Sequence, residues 1–486
     1  MAGKRTVAII GAGMAGLAAA KKLCSEGFEV RLFEANSKVG GCCAHTHIGG
    51  YTLNDGAVYL TMPKMLDYLF EALRLDRTSL LPLKAISHMQ SATLPDGTIV
   101  DIASGPSVTV HSPQGVAETA LAQSEVTAFL SEWESIVRLF TDDILVHPLS
   151  LSHLIVKSMR HFAKLRGTAA WQLKRSFTSE AVRAAFGGAL LYAGVPPDKM
   201  PAASLLGLAA MLRDGYFLPT EGMGRIPEVF SEAIQAQGGS LHLNSAIQRI
   251  LVRNGRAYAV DVAEEGVVEV DAVISSVSAM HTYGALLSET DVPSRMMRKV
   301  RRSPMSYRGF VLQLGLRNKI EARSHINCVI PWLDDQSQIF QTAGDDVRWL
   351  TYTIPTVTLP KLAPDGCSIV DAFPSIRQDI VPEEWNEDRK KTVVAKTLEM
   401  LRREYSIDLA TYRVLSPKEF QDSLHLYSGA MYGLSPAAGP AALFKYRTPI
   451  RGLYQAGQTT WPGFGVVGAG MSGIFAAETL IHDMYD

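Results

Sequence analysis

The residues best placed to do chemistry lie near the start of the chain. Gly11, Ala12, Gly13, Met14, Ala15 and Gly16 read GAGMAG, a GxGxxG loop. In such a loop the first glycine permits a tight turn and the second lets the backbone approach a pyrophosphate. The third allows a helix to pack closely on a strand. Here the flanking residues supply the structure the loop needs. Thr6–Ile10 is a β-branched, apolar run that predicts a buried parallel strand. Met14–Ser25 is rich in Ala, Leu and Lys and predicts a helix stopped near Gly27. Residues 28–33 return as a strand that ends at Glu34, where a carboxylate accepts hydrogen bonds from a ribose diol. The unit is βαβ, with a helix N-terminus facing the anion. An acid at position 34, rather than a small residue with a nearby arginine, argues against a 2′-phosphate and so against NADP in this site.

The rest of the chain has to position that loop. At 486 residues it exceeds one ordinary domain, so two or three are expected. Hydrophobic content of 47% with 20% charged residues is that of a globular protein with large cores. Lys plus Arg (47) nearly balance Asp plus Glu (48), which argues against nucleic acid and leaves electrostatic targeting to local clusters. Five cysteines without a CxxC spacing fit free thiols in a reducing compartment such as the cytoplasm. Lys4 and Arg5 before VAIIGAGMAGLAAA superficially resemble a secretory signal, but the phosphate-loop glycines and the strand after them give that segment a better role. No run approaches the roughly 20 apolar residues of a membrane span, the nearest being around 202–212. A soluble or peripheral protein is expected.

After residue 76 a short strand-like stretch gives way to long helical patterns, punctuated by Pro148, Gly167 and Pro196-Pro197. Beyond Tyr216 the expectation is a helix at 226–237, strands at 240–251, 256–262 and 267–275, then strands at 309–316 and 348–354. A helix near 388–404, a strand at 452–456 and a helix from about 467 to 484 complete it. The predicted fold class is α/β, with a Rossmann-like dinucleotide-binding domain built from discontinuous segments (1–75, 214–285 and 441–486). An inserted mixed α+β substrate domain takes 76–213 and 286–440, with its helical part at about 120–213.

Three further segments resemble one family. Gly40-Gly41, with the stretch ending GGYTLNDG at Gly56, resembles the GG-doublet region of the FAD-binding amine oxidase and carotenoid desaturase superfamily. Tyr216–Pro227 (YFLPTEGMGRIP) resembles the YPxGGMGxIP segment of bacterial phytoene desaturases, and residues 239–250 resemble the strand whose backbone meets adenine, at Ile247. Residues 452–468 (GLYQAGQTTWPGFGVVG) resemble the turn that closes over the flavin. The resemblance implies FAD as cofactor. Its contacts would be Gly11, Ala12, Gly13, Met14, Ala15, Gly16, Glu34, Ala35, Gly41, Cys42 and Ile247, with Gly457, Gln458 and Val467 at the flavin half. Two departures stand out. Cys42-Cys43 replace the arginine that commonly follows the doublet, and GGCCAHT is closer to the retinol-saturase and carotenoid-isomerase branches. Trp461 and Phe464 stand where carotenoid enzymes usually show His and Ala, which partly resembles amine oxidases.

On this resemblance Asp55 falls beside the flavin, as a candidate catalytic base or merely a hydrogen-bond partner of its own Asn54-Asp55-Gly56 turn. Trp461, Phe464 and Tyr427 are candidate substrate-lining residues, and His425 lies on the same approach. Cys42-Cys43-Ala44-His45-Thr46-His47 lacks metal-site spacing, so no metal is expected. The implied function is an FAD-dependent oxidoreductase that desaturates, saturates or isomerises an apolar, isoprenoid-like substrate. Alternatives are a flavin amine oxidase, or a non-catalytic prenyl carrier like the Rab GDP-dissociation inhibitors. With no second GxGxxG after a strand, quinone or oxygen is the expected electron acceptor. Finally, 144–179 carries no acid but six Lys and Arg residues. A helix at 153–166, N-capped by Ser152, would set Lys157, Arg160, His161 and Lys164 beside an apolar face. Two readings compete: a domain helix packed on its own core, or one lying in an anionic membrane surface.

Overall fold

The computed structural model describes residues 5–113, 119–340 and 346–485. The βαβ unit forms as its residue types require. Strand β1 (Thr6–Ile10), helix α1 (Met14–Ser25) and strand β2 (Glu29–Phe33) follow one another, and β1 pairs in parallel with β2 in the register Ile9↔Leu32. A five-stranded parallel sheet grows from it in the order Ser240–His242, β2, β1, Ala272–Ser275, Leu453–Gln455. The C-terminal helix, Val466–Tyr485, lies across α1. The two helices approach so closely that a Cβ on Gly473 would fall on the Ala15 carbonyl oxygen. One on Gly16 would fall on the carbonyl oxygen of Gly11, which is why position 16 must lack a side chain.

The strand expected at 240–251 is two strands in two sheets. Ser240–His242 joins the parallel sheet, while Ile247–Arg253 pairs antiparallel with Arg256–Val262. Between them Asn244 takes a left-handed conformation (φ 54°), and the amides of Asn244 and Ser245 donate to the carbonyls of Asn36 and Glu34. The segment expected at 267–275 likewise divides into Gly266–Glu269 and Ala272–Ser275.

A second sheet of eight strands runs in the order Leu409–Leu415, Val311–Leu316, Ser368–Pro374, Leu350–Thr353, Ile326–Val329, His88–Thr93, Ile99–Ala103, Ser107–His111. Its central strands Val311–Leu316 and Ser368–Pro374 are buried throughout. Helices Thr119–Leu139, Ala169–Ser176, Glu180–Leu191 and Leu205–Asp214 fall in the stretch expected to be helical.

The helix expected at 153–166 is not one helix. Leu151–Ser158 is capped by Ser150, whose hydroxyl accepts from the His153 amide at 3.3 Å, two residues before the expected cap Ser152. A 3₁₀ turn, Met159–His161, and a short helix, Phe162–Leu165, follow. Only Leu154 and Leu165 pack on the core; Ile155, Val156, Met159 and Phe162 are 61%, 66%, 67% and 66% exposed. Nor are its cations unopposed. Asp143 meets His153 at 3.1 Å and Lys157 at 3.3 Å, and Glu132 meets Lys164 at 3.2 Å, both acids arriving from earlier in the chain.

Candidate active site

At the end of β1 the chain turns at Gly11, whose φ of +92° favours glycine and whose amide donates to the Phe33 carbonyl at 2.8 Å. The next amide, of Ala12, donates to Glu34 Oε2 at 2.7 Å, and the Asn36 amide donates to Oε1 at 2.9 Å. Glu34 is thus buried and pinned at the groove's edge, with lone pairs left on both oxygens. A Cβ built on Gly13 would meet nothing within 4 Å, so this position faces open space in front of α1. The first turn of α1 has no acidic residue and no side-chain cap, which leaves its amides for an anion. The glycine doublet closes over the loop from the other side, the Gly40 amide donating to the Ala12 carbonyl at 2.8 Å.

These residues open onto one cavity of about 1040 Å³. Gly11, Gly13, Met14, Ala15, Glu34, Ala35, Gly41, Cys42 and Ile247 line one part of it, and Gly457, Gln458, Val467, Trp461 and Phe464 another. Ala12 and Gly16 do not line it. They act from behind, Ala12 through its amide on Glu34 and Gly16 through its close packing on Gly11. A groove with a glycine facing open space, free helix amides and a fixed carboxylate fits the two phosphates and the adenosine ribose of FAD.

Two candidates are displaced. Asp55 does not line the cavity. It is fully buried in a charged cluster, contacted by Lys38 Nζ at 2.5 Å, Arg413 Nη1 at 2.5 Å and the Thr46 hydroxyl at 2.8 Å. Burial alone would raise its carboxyl, but the bonds from Lys38 and Arg413 override that and hold it below its ordinary value. An ionised carboxylate with both oxygens occupied is a structural anion rather than a base. Tyr427 also lies outside the lining and is 44% exposed, whereas His425 does line the cavity.

The turn before the C-terminal helix is held by buried bonds. The Gly457 amide donates to the Ser472 hydroxyl at 2.7 Å, and the Tyr446 hydroxyl donates to the Trp461 carbonyl at 2.9 Å. The Trp461 indole N–H donates to the carbonyl of His147 at 3.0 Å, so its ring borders the cavity while its polar edge is spent. Phe464 packs on Tyr432 with centroids 4.6 Å apart. Cys42 and Cys43 also border the cavity. Burial, with the Asp55 charge adding to it, pushes the Cys42 thiol up to about 12, and burial pushes Cys43 up too, so both stay protonated.

Sequence reasoning missed other aromatic residues that line the cavity: Tyr59, Tyr192, Tyr216, Tyr307, Phe373 and Tyr432, of which Tyr432 packs on Phe464. They come from separate segments, and a single aromatic residue in each carries no local signal of a shared chamber. Only the fold brings them together. Glu34 is the sole Asp, Glu, Lys or Arg in the lining among the described residues.

Comparison with known proteins places this geometry. Residues 14–481 match the family described as flavin containing amine oxidoreductase. The chain is 27% identical to a lycopene-forming phytoene desaturase of Pseudescherichia vulneris, over 99% of this chain and 100% of that one. It is 24% identical to a zeta-carotene-forming phytoene desaturase of Myxococcus xanthus, over 98% and 94%. Its fold matches that of cyclohexylamine oxidase from Brevibacterium oxydans, with a TM-score of 0.63 and 16% identity, covering 100% of both chains. An oxidoreductase from Methanosarcina mazei gives a TM-score of 0.65 at 17% identity, over 97% and 100%.

Proposed function

The chain belongs to the flavin-containing amine oxidoreductases and is an FAD-dependent oxidoreductase; from that premise we propose that it desaturates, saturates or isomerises an apolar, isoprenoid- or polyene-like substrate. The observation that carries this reading is the chamber beside the Trp461 turn, walled by Leu, Met, Ala and aromatic side chains with no charge but Glu34 on the dinucleotide side. An uncharged, mostly apolar chamber positions a chain by shape and excludes water, which is what C–C chemistry at a flavin needs. The full-length likeness to phytoene desaturases points the same way.

FAD, when bound, supplies a two-electron carrier. The chain's own residues do the rest. Gly11, Gly13, Met14 and Ala15 would hold the phosphates by backbone amides, Glu34 and Ala35 the ribose, and Ile247 the adenine. Gly41, Cys42, Gly457, Gln458 and Val467 would hold the flavin half, while Trp461 and Phe464 shape the substrate side. Quinone or oxygen is the acceptor we propose, since the glycines at 463–470 belong to the cavity wall and the C-terminal helix rather than to a second nucleotide loop.

Delivery of such a substrate fits the exposed ridge at residues 151–162. Among the described residues no helix is long and apolar enough to cross a membrane. The ridge instead offers Leu151, Ile155, Val156, Met159 and Phe162 to a bilayer surface, with Arg160 and Arg166 beside them. It begins four residues after His147, whose carbonyl accepts from Trp461 at the cavity.

The test is anaerobic bleaching of the bound flavin by a panel of carotenoid precursors, retinoids and amines. Bleaching by polyenes is the expected result. Bleaching by amines, with peroxide released in air, would establish an amine oxidase instead. A purified protein without flavin colour would favour a prenyl carrier.

A further inference from the structure

A pure hydrocarbon would need only aromatic rings, and phenylalanine would provide them. The chamber has tyrosines. Tyr59, Tyr192, Tyr216, Tyr307 and Tyr432 meet there. Centroid separations are 4.3 Å for Tyr59–Tyr216 and 5.9 Å for both Tyr59–Tyr192 and Tyr307–Tyr432. Four of their five hydroxyls have a partner and the fifth has none. The Tyr432 hydroxyl donates to the Tyr192 carbonyl at 2.9 Å, and that of Tyr216 donates to the sulfur of Met211. Tyr59 and Tyr307 interact through their hydroxyls with Tyr216 and Tyr432 respectively. The Tyr192 hydroxyl is buried with no partner at all. Burial pushes all five phenols up, so each remains a neutral donor and acceptor.

Leaving buried hydroxyls against a hydrocarbon is unfavourable, and a site built to bond an oxygen discriminates against the analogue that lacks one. A carboxylate end group would call for a cation, which the tyrosines do not supply, and an ammonium would use ring faces, which phenylalanine offers as well and which leave the hydroxyls unexplained. We propose that the tyrosine cluster is a subsite for a neutral oxygen function (hydroxyl, aldehyde or ketone) carried by an otherwise apolar substrate chain. This rests on the polyene reading above and narrows it to oxygenated chains.

The holoenzyme should be titrated anaerobically with a short polyene alcohol and with the hydrocarbon of the same skeleton, in identical micelles, reading the perturbation of flavin absorbance. The alcohol is expected to bind about 10-fold tighter, the worth of one good neutral hydrogen bond. Tyr59→Phe with Tyr307→Phe should bring the two ligands within about 2-fold at unchanged FAD content, because Phe keeps the rings and removes only the oxygens. Equal or tighter binding of the hydrocarbon by the wild type would overturn the subsite while leaving the polyene reading intact. So would a preference that survives the double variant and Tyr192→Phe. If neither chain perturbs the flavin and an amine does, the polyene reading falls and the subsite with it.

Discussion

Asp55 and Asp371 are both fully buried, yet their surroundings shift their carboxyls in opposite directions. Asp55 faces Lys38 and Arg413 and is held ionised. Asp371 accepts from Gln313 Nε2 at 2.9 Å, with Asn54, Thr353 and the Arg413 charge also favouring the anion, but burial outweighs them and pushes its carboxyl up to about 6. The signs of their pH effects therefore differ. Asp371 favours the fold fully below the ordinary carboxylate value of about 4, and that contribution is lost as pH rises through about 6, an effect of about 3 kcal/mol. Asp371→Asn should accordingly stabilise by about 1–3 kcal/mol at pH 8 and by little at pH 4, which urea midpoints at the two pH values would show. Asp55 contributes above the ordinary carboxylate range and loses that contribution as pH falls below it. Asp55→Asn should destabilise at neutral pH, by about 1–3 kcal/mol once the partial exposure of Lys38 and Arg413 is allowed for. At the cofactor groove, Gly13→Val should fold normally, since a Cβ there meets nothing, but purify without yellow colour. Glu34→Ala should weaken FAD about 10- to 100-fold by fluorescence titration. Full FAD occupancy in Gly13→Val would remove the pyrophosphate from this loop.

At the scale of elements, the segment from Leu151 to Leu165 shows what periodicity leaves undecided. Its alternation of apolar and basic residues suits a core helix and a membrane-surface helix alike. The fold exposes the apolar side, and it also neutralises Lys157 and Lys164 with Asp143 and Glu132. Membrane attachment, on the reading proposed above, then depends more on insertion than on charge, because each exposed side chain transferred from water gains about 1–2 kcal/mol. Met159→Ser with Phe162→Ser should therefore abolish flotation with anionic liposomes. Lys157→Glu with Lys164→Glu, or raised salt, should weaken it less. A wild-type protein that ignores liposomes at low salt would detach the ridge from substrate delivery.

Across the whole molecule, the cavity joins a parallel sheet that holds the dinucleotide groove to an eight-stranded sheet and a helical insertion that wall the chamber. Trp461 is a joint between them, bordering the chamber while bonding to His147 at the head of the exposed ridge. Trp461→Ala should alter turnover or substrate preference more than FAD content. A variant that loses its flavin but works normally when FAD is resupplied would make Trp461 purely structural. FAD itself should act as a clamp on this arrangement. At a hundredfold excess over Kd it should add about 2.7 kcal/mol, visible as a rise in the melting temperature of the apoprotein.

The GAGMAG loop, the strand before it, the helix after it and Glu34 were legible in the sequence because they are contiguous. A strand, a turn and a helix in one short stretch fix each other's geometry through local sterics and hydrogen bonds. The strand Ser368–Pro374 was not legible, since its Asp371 and Pro374 disguise a segment buried in the middle of a sheet. Asp55 was misplaced because its neighbours Arg413 and Lys38 converge only in three dimensions. The tyrosine chamber, the raised carboxyl of Asp371 and the exposure of the 151–162 ridge belong to the same class. Each depends on which distant side chains share a low-dielectric volume, and that is a property of tertiary packing that no local spacing records.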